Sequence, residues 1–511
     1  RLGLVQVSLA GVLWGTGGLG VQIIREHEPM SVLTISAWRM GVAALVLVAA
    51  CLPANPMVTD SATAGSASSD SSSGEPTTGA ASSGLFACGT PPCTLVLVSQ
   101  TLDDRIDVHE VTADGSRLRG RIGLDLKPDP SGTQIEGNLL DEPYGMVLTP
   151  TDLLVAVGHY PDTDRGSLLR FPRATFDALA PGATFSPNQY FNGGVFSGGV
   201  EVLLHQREEG IFFLPHPSGR LLIGVFANSL KSIDFSTPSE LLVVDPSDLK
   251  VDGIGSFDLG TIDPPCRGAW RLEALDPLAQ DIAVACDGSD SVAILHLPEN
   301  LGSLAPKDAA AAITGCGLNL GAGQWTTQFA AADGGGGLLA LQSQIAETPR
   351  AWHVSRDCKP LGAPSMDVGP AVMGVRLLRE VVRLPNTDLW LIAAGAPSPG
   401  VVIARGGGTP ELCGMVTGLE SLDVGNAPFA LTLDAAGAHL AIGAGPSANP
   451  ELSEGRGQVL WATLESDSAA CKVAATSVLD LNAGLFQQSS PETWVRAPNV
   501  ILVAELDGTG A

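Results

Sequence analysis

The chain has 511 residues, of which 54 are acidic and 28 basic, so that its formal net charge is −26. This charge argues against nucleic acid as a partner, because phosphates demand a basic surface, and against a polybasic contact with membranes. Gly and Pro are abundant, with 61 and 36 residues, as expected of many short strands joined by turns.

The N-terminal region contains two long apolar runs. Residues 2–24 carry no charge, and 23 positions are enough for a helix to cross a bilayer. A second apolar run, residues 29–50, is interrupted only by Arg39. The segments LAGVLWGTGGLG and PMSVLTISAWRMGVAALVL resemble the opening helical hairpin of EamA-type (drug/metabolite) transporters, which implies a transmembrane hairpin over residues 1–52. Two helices cannot form a transport pathway, so transport activity is not implied.

The end of this region also resembles a bacterial lipobox. The residues VAAC end at Cys51 and follow Arg39 and an apolar run, an order that is typical of signal peptides. The resemblance implies that Cys51 is lipidated and becomes the mature N-terminus; the alternative is a plain thiol at a helix end. In residues 61–84, Ser, Thr, Gly and Ala fill 21 of 24 positions, which predicts a disordered linker over residues 53–94. Either anchor places the remaining chain outside the cytoplasm, at the cell envelope.

Residues 95–511 repeat one unit of short strands and tight turns. The strands that follow a tight turn begin at intervals of 51 to 68 residues, and another strand follows each of them. A repeat of this kind outranks other signals for architecture, and strands joined by Gly, Asp, Pro and Asn turns predict antiparallel sheets. The strands begin at Leu95, Leu153, Leu221, Ile282, Leu338, Leu389 and Leu440.

The first unit lacks its inner strand, and the final segment NVILVAELDGTGA supplies one. We therefore predict a mainly-β fold, a seven-bladed β-propeller closed by the C-terminal strand, because closure removes exposed strand edges. In shape and spacing the domain resembles the YVTN/WD40-like propellers of bacterial envelope proteins. An eight-bladed propeller that is cut short at Ala511 is the alternative.

If Cys51 is lipidated, eight cysteines remain, an even number that suits disulfides in an oxidising compartment. The first candidate pair would close a small ring, and the second flanks a hairpin of the fourth unit. The last two follow from sequence order alone, since equivalent outer strands lie far apart at a propeller rim. The pairs are Cys88 with Cys93, Cys266 with Cys286, Cys316 with Cys358, and Cys413 with Cys471.

The sequence carries no clear pattern for a metal or a cofactor. It has no C-x-x-C, and its His residues are scattered, which argues against zinc. Asp162 and Asp164 faintly resemble part of a calcium loop, but the downstream Glu is missing, so an ordinary polar turn is favoured. Residues 15–20 match the dinucleotide pattern G-x-G-x-x-G, yet no strand precedes them. We expect no cofactor.

The longest departure from the repeat is residues 172–210, whose segment SPNQYFNGGVFSGG is long enough to cap one end of the central channel. Trp270, Trp325 and Trp494 each enter an inner strand and would ring the channel mouth if they share a register, whereas packing between blades is the alternative. The candidate ligand contacts are Asn188, Gln189, Tyr190, Asn192, Trp270 and Trp325.

Aromatic faces beside amides suit sugars or peptide segments. The sequence therefore predicts a non-enzymatic, envelope-anchored propeller that binds a protein or polysaccharide partner at the channel mouth. One alternative is a propeller hydrolase or lactonase, which would need acidic and His side chains and a metal at the channel. The other is a membrane protein that carries a fragment of an EamA-type transporter.

Overall fold

A computed structural model gives the fold of this chain. It divides the chain into two compact units, Arg1–Thr78 and Gly79–Ala511. All described residues belong to the second unit, so the predicted hairpin, Cys51 and most of the predicted linker lie outside them. The structure describes residues 84–88, 92–100, 104–124, 140–160, 165–185, 194–196, 199–206, 208–227, 238–249, 253–321, 327–332, 337–342, 350–361, 366–367, 378–395, 399–406, 410–422, 426–445, 457–481 and 498–506.

Within these residues the chain forms 30 strands. The first nine are Cys93–Gln100 (β1), Arg105–Thr112 (β2), Gly115–Gly123 (β3), Leu140–Leu148 (β4), Asp152–Tyr160 (β5), Arg165–Pro172 (β6), Thr184–Phe185 (β7), Gly194–Phe196 (β8) and Gly199–Gln206 (β9). The next eight are Glu208–Pro215 (β10), Leu221–Ala227 (β11), Glu240–Val244 (β12), Ile254–Asp258 (β13), Ala269–Ala274 (β14), Asp281–Cys286 (β15), Ser291–His296 (β16) and Thr314–Asn319 (β17).

The remaining strands continue the same succession to the end of the described chain. They are Thr327–Ala332 (β18), Gly337–Gln342 (β19), Arg350–Ser355 (β20), Met366–Asp367 (β21), Leu378–Arg383 (β22), Leu389–Ala394 (β23), Gly400–Arg405 (β24), Glu411–Met415 (β25), Ala427–Leu433 (β26), His439–Gly445 (β27), Gln458–Asp467 (β28), Lys472–Asp480 (β29) and Pro498–Leu506 (β30).

The described strands form seven sheets, numbered here in chain order. Sheet 1 has the strand order β30-β1-β2-β3-β7, and sheet 2 has the order β4-β5-β6-β9-β8. Sheets 3 to 7 each contain four consecutive strands, from β10–β13 in sheet 3 to β26–β29 in sheet 7. Neighbouring strands are antiparallel, as predicted, except that β3 and β7 are parallel.

The hydrophobic core lies between the sheets. The second strands, such as β19 and β23, are buried at every position, because a sheet packs against each of their faces. Within the described residues, seven apolar clusters fill the spaces between consecutive sheets. The last joins sheet 7 to sheet 1, where Trp461 and Val459 pack with Val96 and Val98. Sheets that pack face to face in a circle form a β-propeller.

The first strands of the sheets, β30, β4, β10, β14, β18, β22 and β26, are the innermost strands, and each contacts the next around the circle. The C-terminal strand β30 pairs with β1, from Cys93 opposite Leu506 to Ser99 opposite Val500. It also contacts β26 and β4, its neighbours on the two sides. The predicted pairing of the C-terminal strand with the first unit is therefore present.

Four disulfides are formed among the described residues, and they join the pairs expected from the sequence: Cys88–Cys93, Cys266–Cys286, Cys316–Cys358 and Cys413–Cys471. The last two were expected to link outer strands. Instead, each joins an outermost strand, β17 or β25, to the turn that follows β20 or β28 in the next sheet. These turns reach the neighbouring sheet, so the Cα atoms lie 6.0 and 5.8 Å apart.

Helices are few in the described part of the chain. The α-helix α1, Pro306–Ala311, packs against β12 and β13. No described helix has the length and apolar character needed to cross a bilayer. Four short 3-10 helices are Arg173–Phe176, Leu259–Thr261, Asp287–Ser289 and Leu301–Ser303.

The segment predicted to cap the channel is partly a set of outer strands. β7 pairs with the far edge of sheet 1, and Phe185 packs against Phe171 and Phe176 there. β8 is the outermost strand of sheet 2. Packing of Phe185 places β7 at the outer edge of sheet 1. Residues 186–193 and 197–198 of this region lie outside the described residues.

Candidate functional site

Each innermost strand carries a β-bulge near its beginning, where two of its residues oppose one residue of the second strand. Bulges are frequent beside active sites because they re-aim side chains and change the local twist. Here they form a circle around the central channel. The bulged positions are 144–145, 211, 270, 328, 379–380, 429 and 499.

Arg271, directly after the bulge of β14 in sheet 4, reaches across the channel. Its guanidinium forms an ion pair with Glu380, which lies at the bulge of β22 in sheet 6, and a second carboxylate, Glu273, lies 3.9 Å away. Sheet 5 lies between sheets 4 and 6, so this ion pair joins two sheets that are not neighbours. The Phe212 ring of sheet 3 faces the same guanidinium at 5.0 Å, a cation–π contact.

The environment of Glu380 changes its acidity. Its side chain is 3% exposed. Burial raises the pKa of Glu380 from 4.5 to about 7; the Arg271 charge opposes this shift, and the Glu273 charge adds to it. A carboxyl group with a pKa near 7 can both accept and donate a proton at neutral pH, which is what a general acid–base catalyst requires.

A second guanidinium comes from the same bulge. Arg379 precedes Glu380 and lies over the Phe429 ring of sheet 7, at 5.0 Å from the centroid. Burial lowers the pKa of Arg379, and the buried carboxylate of Asp287 opposes that shift. The bulge of β22 therefore aims one cation towards sheet 7 and one carboxyl group across the channel towards sheet 4.

We call Phe212, Arg271, Glu273, Arg379 and Glu380 the channel cluster. Its polar end is open to solvent, since the Arg271 and Glu273 side chains are 19% and 28% exposed. A guanidinium beside a buried carboxyl group can stabilise a developing oxyanion while the carboxyl group moves a proton. Among the described residues, no group of three or more His, Cys, Asp or Glu side chains is placed to hold a metal ion.

Of the predicted ligand contacts, the structure describes Trp270. It occupies the bulge of β14 and packs, half-buried, against the apolar cluster between sheets 5 and 6. Its role as a ligand contact stays a prediction. The other predicted positions lie outside the described residues: Asn188, Gln189, Tyr190, Asn192, Trp325, Asp162, Asp164 and Cys51.

Sequence reasoning missed the charged residues of the channel cluster. The segments AWRLEA and LREVVR each place Arg and Glu within an inner strand, where apolar residues are expected. That is the one sequence signal that was available, because a charge in a buried strand requires a partner. The partner itself lies two sheets away, 109 residues along the chain.

The chain matches no protein family model and no curated protein. Among solved structures, it is similar to the Pseudomonas aeruginosa periplasmic gluconolactonase PpgL, with 11% identity and a TM-score of 0.47, covering 81% of this chain and 99% of that one. A putative 6-phosphogluconolactonase from Bacteroides fragilis has 10% identity and a TM-score of 0.45, covering 81% and 98%.

The β-propeller domain of Cps50 (Swd1) from Myceliophteria thermophila has 11% identity and a TM-score of 0.39, covering 66% of this chain and 86% of that one. At such identities and scores the similarity concerns the fold alone. The chain is a β-propeller, and its site has to be interpreted from its own residues.

Proposed function

We propose that the channel cluster hydrolyses a small lactone, with Glu380 as general acid–base and Arg271 as the group that stabilises the oxyanion. The observation that carries this proposal is the buried Glu380–Arg271 pair across the channel, whose carboxyl group has a pKa near 7. The binding function expected from the sequence has less support, since five of its six expected contacts lie outside the described residues.

In the proposed reaction, the Glu380 carboxylate takes a proton from water as the water oxygen bonds to the lactone carbonyl carbon. The carbonyl electron pair moves to its oxygen, where the Arg271 guanidinium stabilises the negative charge. The ring C–O bond then breaks, and Glu380 returns the proton to the ring oxygen. One lactone and one water give one hydroxy acid.

The charges of the molecule favour a neutral substrate and an anionic product. A chain with a net charge of −26 disfavours the approach of anions but not of an uncharged lactone. Ring opening creates a carboxylate, which the same field would help to expel. The leaving oxygen stays attached to the acyl chain, so a single acid–base group on one side of the substrate can serve both proton transfers.

The test is hydrolysis of a panel of uncharged five- and six-membered lactones, followed by acid release and corrected for spontaneous hydrolysis. We expect the hydrolysis rate to rise with pH about a midpoint near 7, because the carboxylate form of Glu380 takes the first proton. Glu380→Gln should lower kcat by roughly 10²- to 10⁴-fold, the usual contribution of general acid–base catalysis.

Glu411→Gln is the matched control, because it removes a carboxylate whose side chain is 63% exposed on the outermost strand of sheet 6. This variant should keep the parent rate. The proposal fails if no lactone in the panel is hydrolysed, or if Glu380→Gln and Glu411→Gln have equal activity.

We also propose an extracytoplasmic location. Disulfides persist mainly in oxidising compartments, and four are present in the described residues. Attachment to the membrane through Cys51 remains a prediction from the sequence. Mass spectrometry of the mature N-terminus tests it, because an unmodified Cys51 would rule out the lipid anchor.

Finally, we infer that the seven sheets are the blades of one closed ring. The supporting observations are the apolar cluster between sheets 7 and 1 and the contacts of β30 with both β26 and β4.

A further inference from the structure

Sheet 1 concentrates charge away from the channel. The chain is strongly acidic, yet β3 contains the segment RLRGR at residues 117–121. The facing strand β2 contributes Asp107 and Glu110, which are 0% and 1% exposed. Charged side chains are rarely buried unless they are paired, so each of these groups needs a partner.

On one face of β2 the pairing is direct. Glu110 accepts a hydrogen bond from Arg117 at 2.7 Å and one from Arg119 at 3.4 Å. Arg119 also donates to the Gly84 carbonyl oxygen.

The opposite face of β2 carries what we call the sheet 1 polar cluster. Asp107 Oδ1 accepts from Arg105 Nε at 3.1 Å and from Arg121 Nε at 3.2 Å. Gln100 Nε2 donates to Asp107 Oδ2 at 3.5 Å, and His109 lies two residues further along β2. A single carboxylate is therefore shared between two guanidinium groups. The members of the cluster are Gln100, Arg105, Asp107, His109 and Arg121.

Several polar atoms of this cluster are buried without a hydrogen-bond partner among the described residues. They are both ring nitrogens of His109, Nη2 of Arg121 and Oε1 of Gln100. His109 is 0% exposed, and burial lowers its pKa to about 4, so the ring is neutral at pH 7 and has one N–H. A buried donor that lacks an acceptor destabilises the folded state, and a bound ion or water is a common explanation for such a donor.

The cluster faces the point where the last sheet meets the first. In the β1–β2 register, His109 lies opposite Val96 and Asp107 lies opposite Val98. Both valines pack with Trp461 of sheet 7. A group that forms hydrogen bonds with the unpartnered atoms of this cluster would therefore lie between sheets 1 and 7.

We infer that the sheet 1 polar cluster binds a small monovalent anion of the size of chloride, held by Arg121 Nη2 and the N–H of His109. An anion supplies the acceptor that both donors lack. It also adds negative charge beside Arg121, whose carboxylate partner Asp107 is shared with Arg105. Water would provide the acceptor but no charge.

Bound between the two sheets that close the circle, the anion favours the folded state by mass action. Above its dissociation constant, each tenfold increase in anion concentration should lower the apparent unfolding constant about tenfold. The response should be specific to small anions, because a larger anion cannot enter a site bounded by packed valines.

The experiment is thermal and urea unfolding of the full chain at constant ionic strength, with sodium chloride exchanged for sodium methanesulfonate. We expect chloride to raise the unfolding midpoint of the parent. Arg121→Gln should abolish the response, whereas Arg117→Gln, on the opposite face of the same sheet, should retain it.

Crystals grown in bromide provide a second measurement that does not depend on the variants. An anomalous peak within hydrogen-bond distance of Arg121 Nη2 is expected. Equal midpoints in the two salts overturn the inference, as does a chloride response that persists in Arg121→Gln. A difference-density peak at this point with no bromide signal would identify water instead and also overturn it.

Discussion

Two buried side chains couple folding to pH in opposite directions. The pKa of His109 falls from 6.5 to about 4, so between these values the unfolded chain binds a proton that the folded chain does not. Its contribution to stability therefore decreases as the pH falls from 6.5 to 4. The pKa of Glu380 rises from 4.5 to about 7, so its contribution decreases as the pH rises from 4.5 to 7. Each shift corresponds to about 3 kcal/mol, and the two oppose each other between pH 4.5 and 6.5.

Glu380→Gln should expose the effect of His109. Glutamine keeps an acceptor for Arg271 but does not titrate. The free energy of unfolding of this variant should therefore increase between pH 4.5 and 6.5, by up to about 3 kcal/mol, while the parent changes much less. Urea unfolding at several pH values measures this difference. A variant with the parent's pH dependence would show that Glu380 has an ordinary pKa.

His109→Leu should produce the opposite slope. Without the buried imidazole, the Glu380 effect is opposed among the described residues only by His216, whose pKa burial also lowers, so the free energy of unfolding should decrease from pH 4.5 to 6.5. Relative to the parent, the variant should be more stable at pH 4.5, where the unfolded parent gains a proton at His109. The same urea titrations apply, and the double variant with Glu380→Gln should keep only the pH dependence of His216. A double variant whose stability changes with pH as much as that of either single variant would assign the pH dependence to other groups.

At the scale of elements, two of the disulfides tie neighbouring sheets together. Cys413–Cys471 links sheets 6 and 7 over a sequence separation of 58, whereas Cys88–Cys93 closes a separation of 5. In the chain-entropy account, the stabilisation by a disulfide increases with the logarithm of the number of residues in the loop that it closes.

Replacing Cys413 and Cys471 together by Ser should therefore lower the free energy of unfolding by about 4 kcal/mol, against about 2 kcal/mol for the pair Cys88 and Cys93. Chemical unfolding under non-reducing conditions compares the two double variants. Equal losses would mean that local packing, rather than loop length, decides the contribution of each bond.

The elements differ in how far the sequence predicts them. The strands and turns can be predicted from the repeat, because each unit is a sheet that packs one face against the preceding sheet and the other face against the following sheet. The strand β30 was predictable, since the first unit lacked an inner strand. The two-residue strand β7 was not, because its pairing with β3 is decided by the burial of Phe185 at the far edge of the sheet.

The site was less predictable than the fold. Arg271 and Glu380 come from sheets that are not neighbours, and no local pattern links them. Their meeting depends on the diameter of the circle and on the bulge that turns Glu380 inwards. Such a contact is a property of the closed assembly, so periodicity along the chain does not reveal it.

At the scale of the whole molecule, the core has no centre. In the described chain it is divided among seven interfaces, and each interface is formed by two consecutive sheets. Loss of any one sheet exposes two of these interfaces, which predicts cooperative unfolding of the circle rather than the gradual loss expected of an open repeat array.

Deleting residues 499–511 should therefore abolish folding of the whole unit instead of fraying one end. The deletion removes β30, which buries Ile501 and contacts the innermost strands on both sides. Deleting only residues 507–511, which follow β30, should leave the melting temperature close to the parent's. Calorimetry compares the two truncations, and a 499–511 deletion that melts near the parent's temperature would contradict closure by this strand.

The antiparallel pairing of β1 with β30 also determines how the molecule responds to force. Cys93 lies opposite Leu506, so β1 begins and β30 ends at the same end of their ladder. Tension applied at these two residues acts on that end of the ladder and opens it one hydrogen-bonded pair at a time. Such peeling needs far less force than sliding two strands past each other, in which all the hydrogen bonds resist together. A pull on these two residues would therefore open the circle first within sheet 1, between β30 and β1.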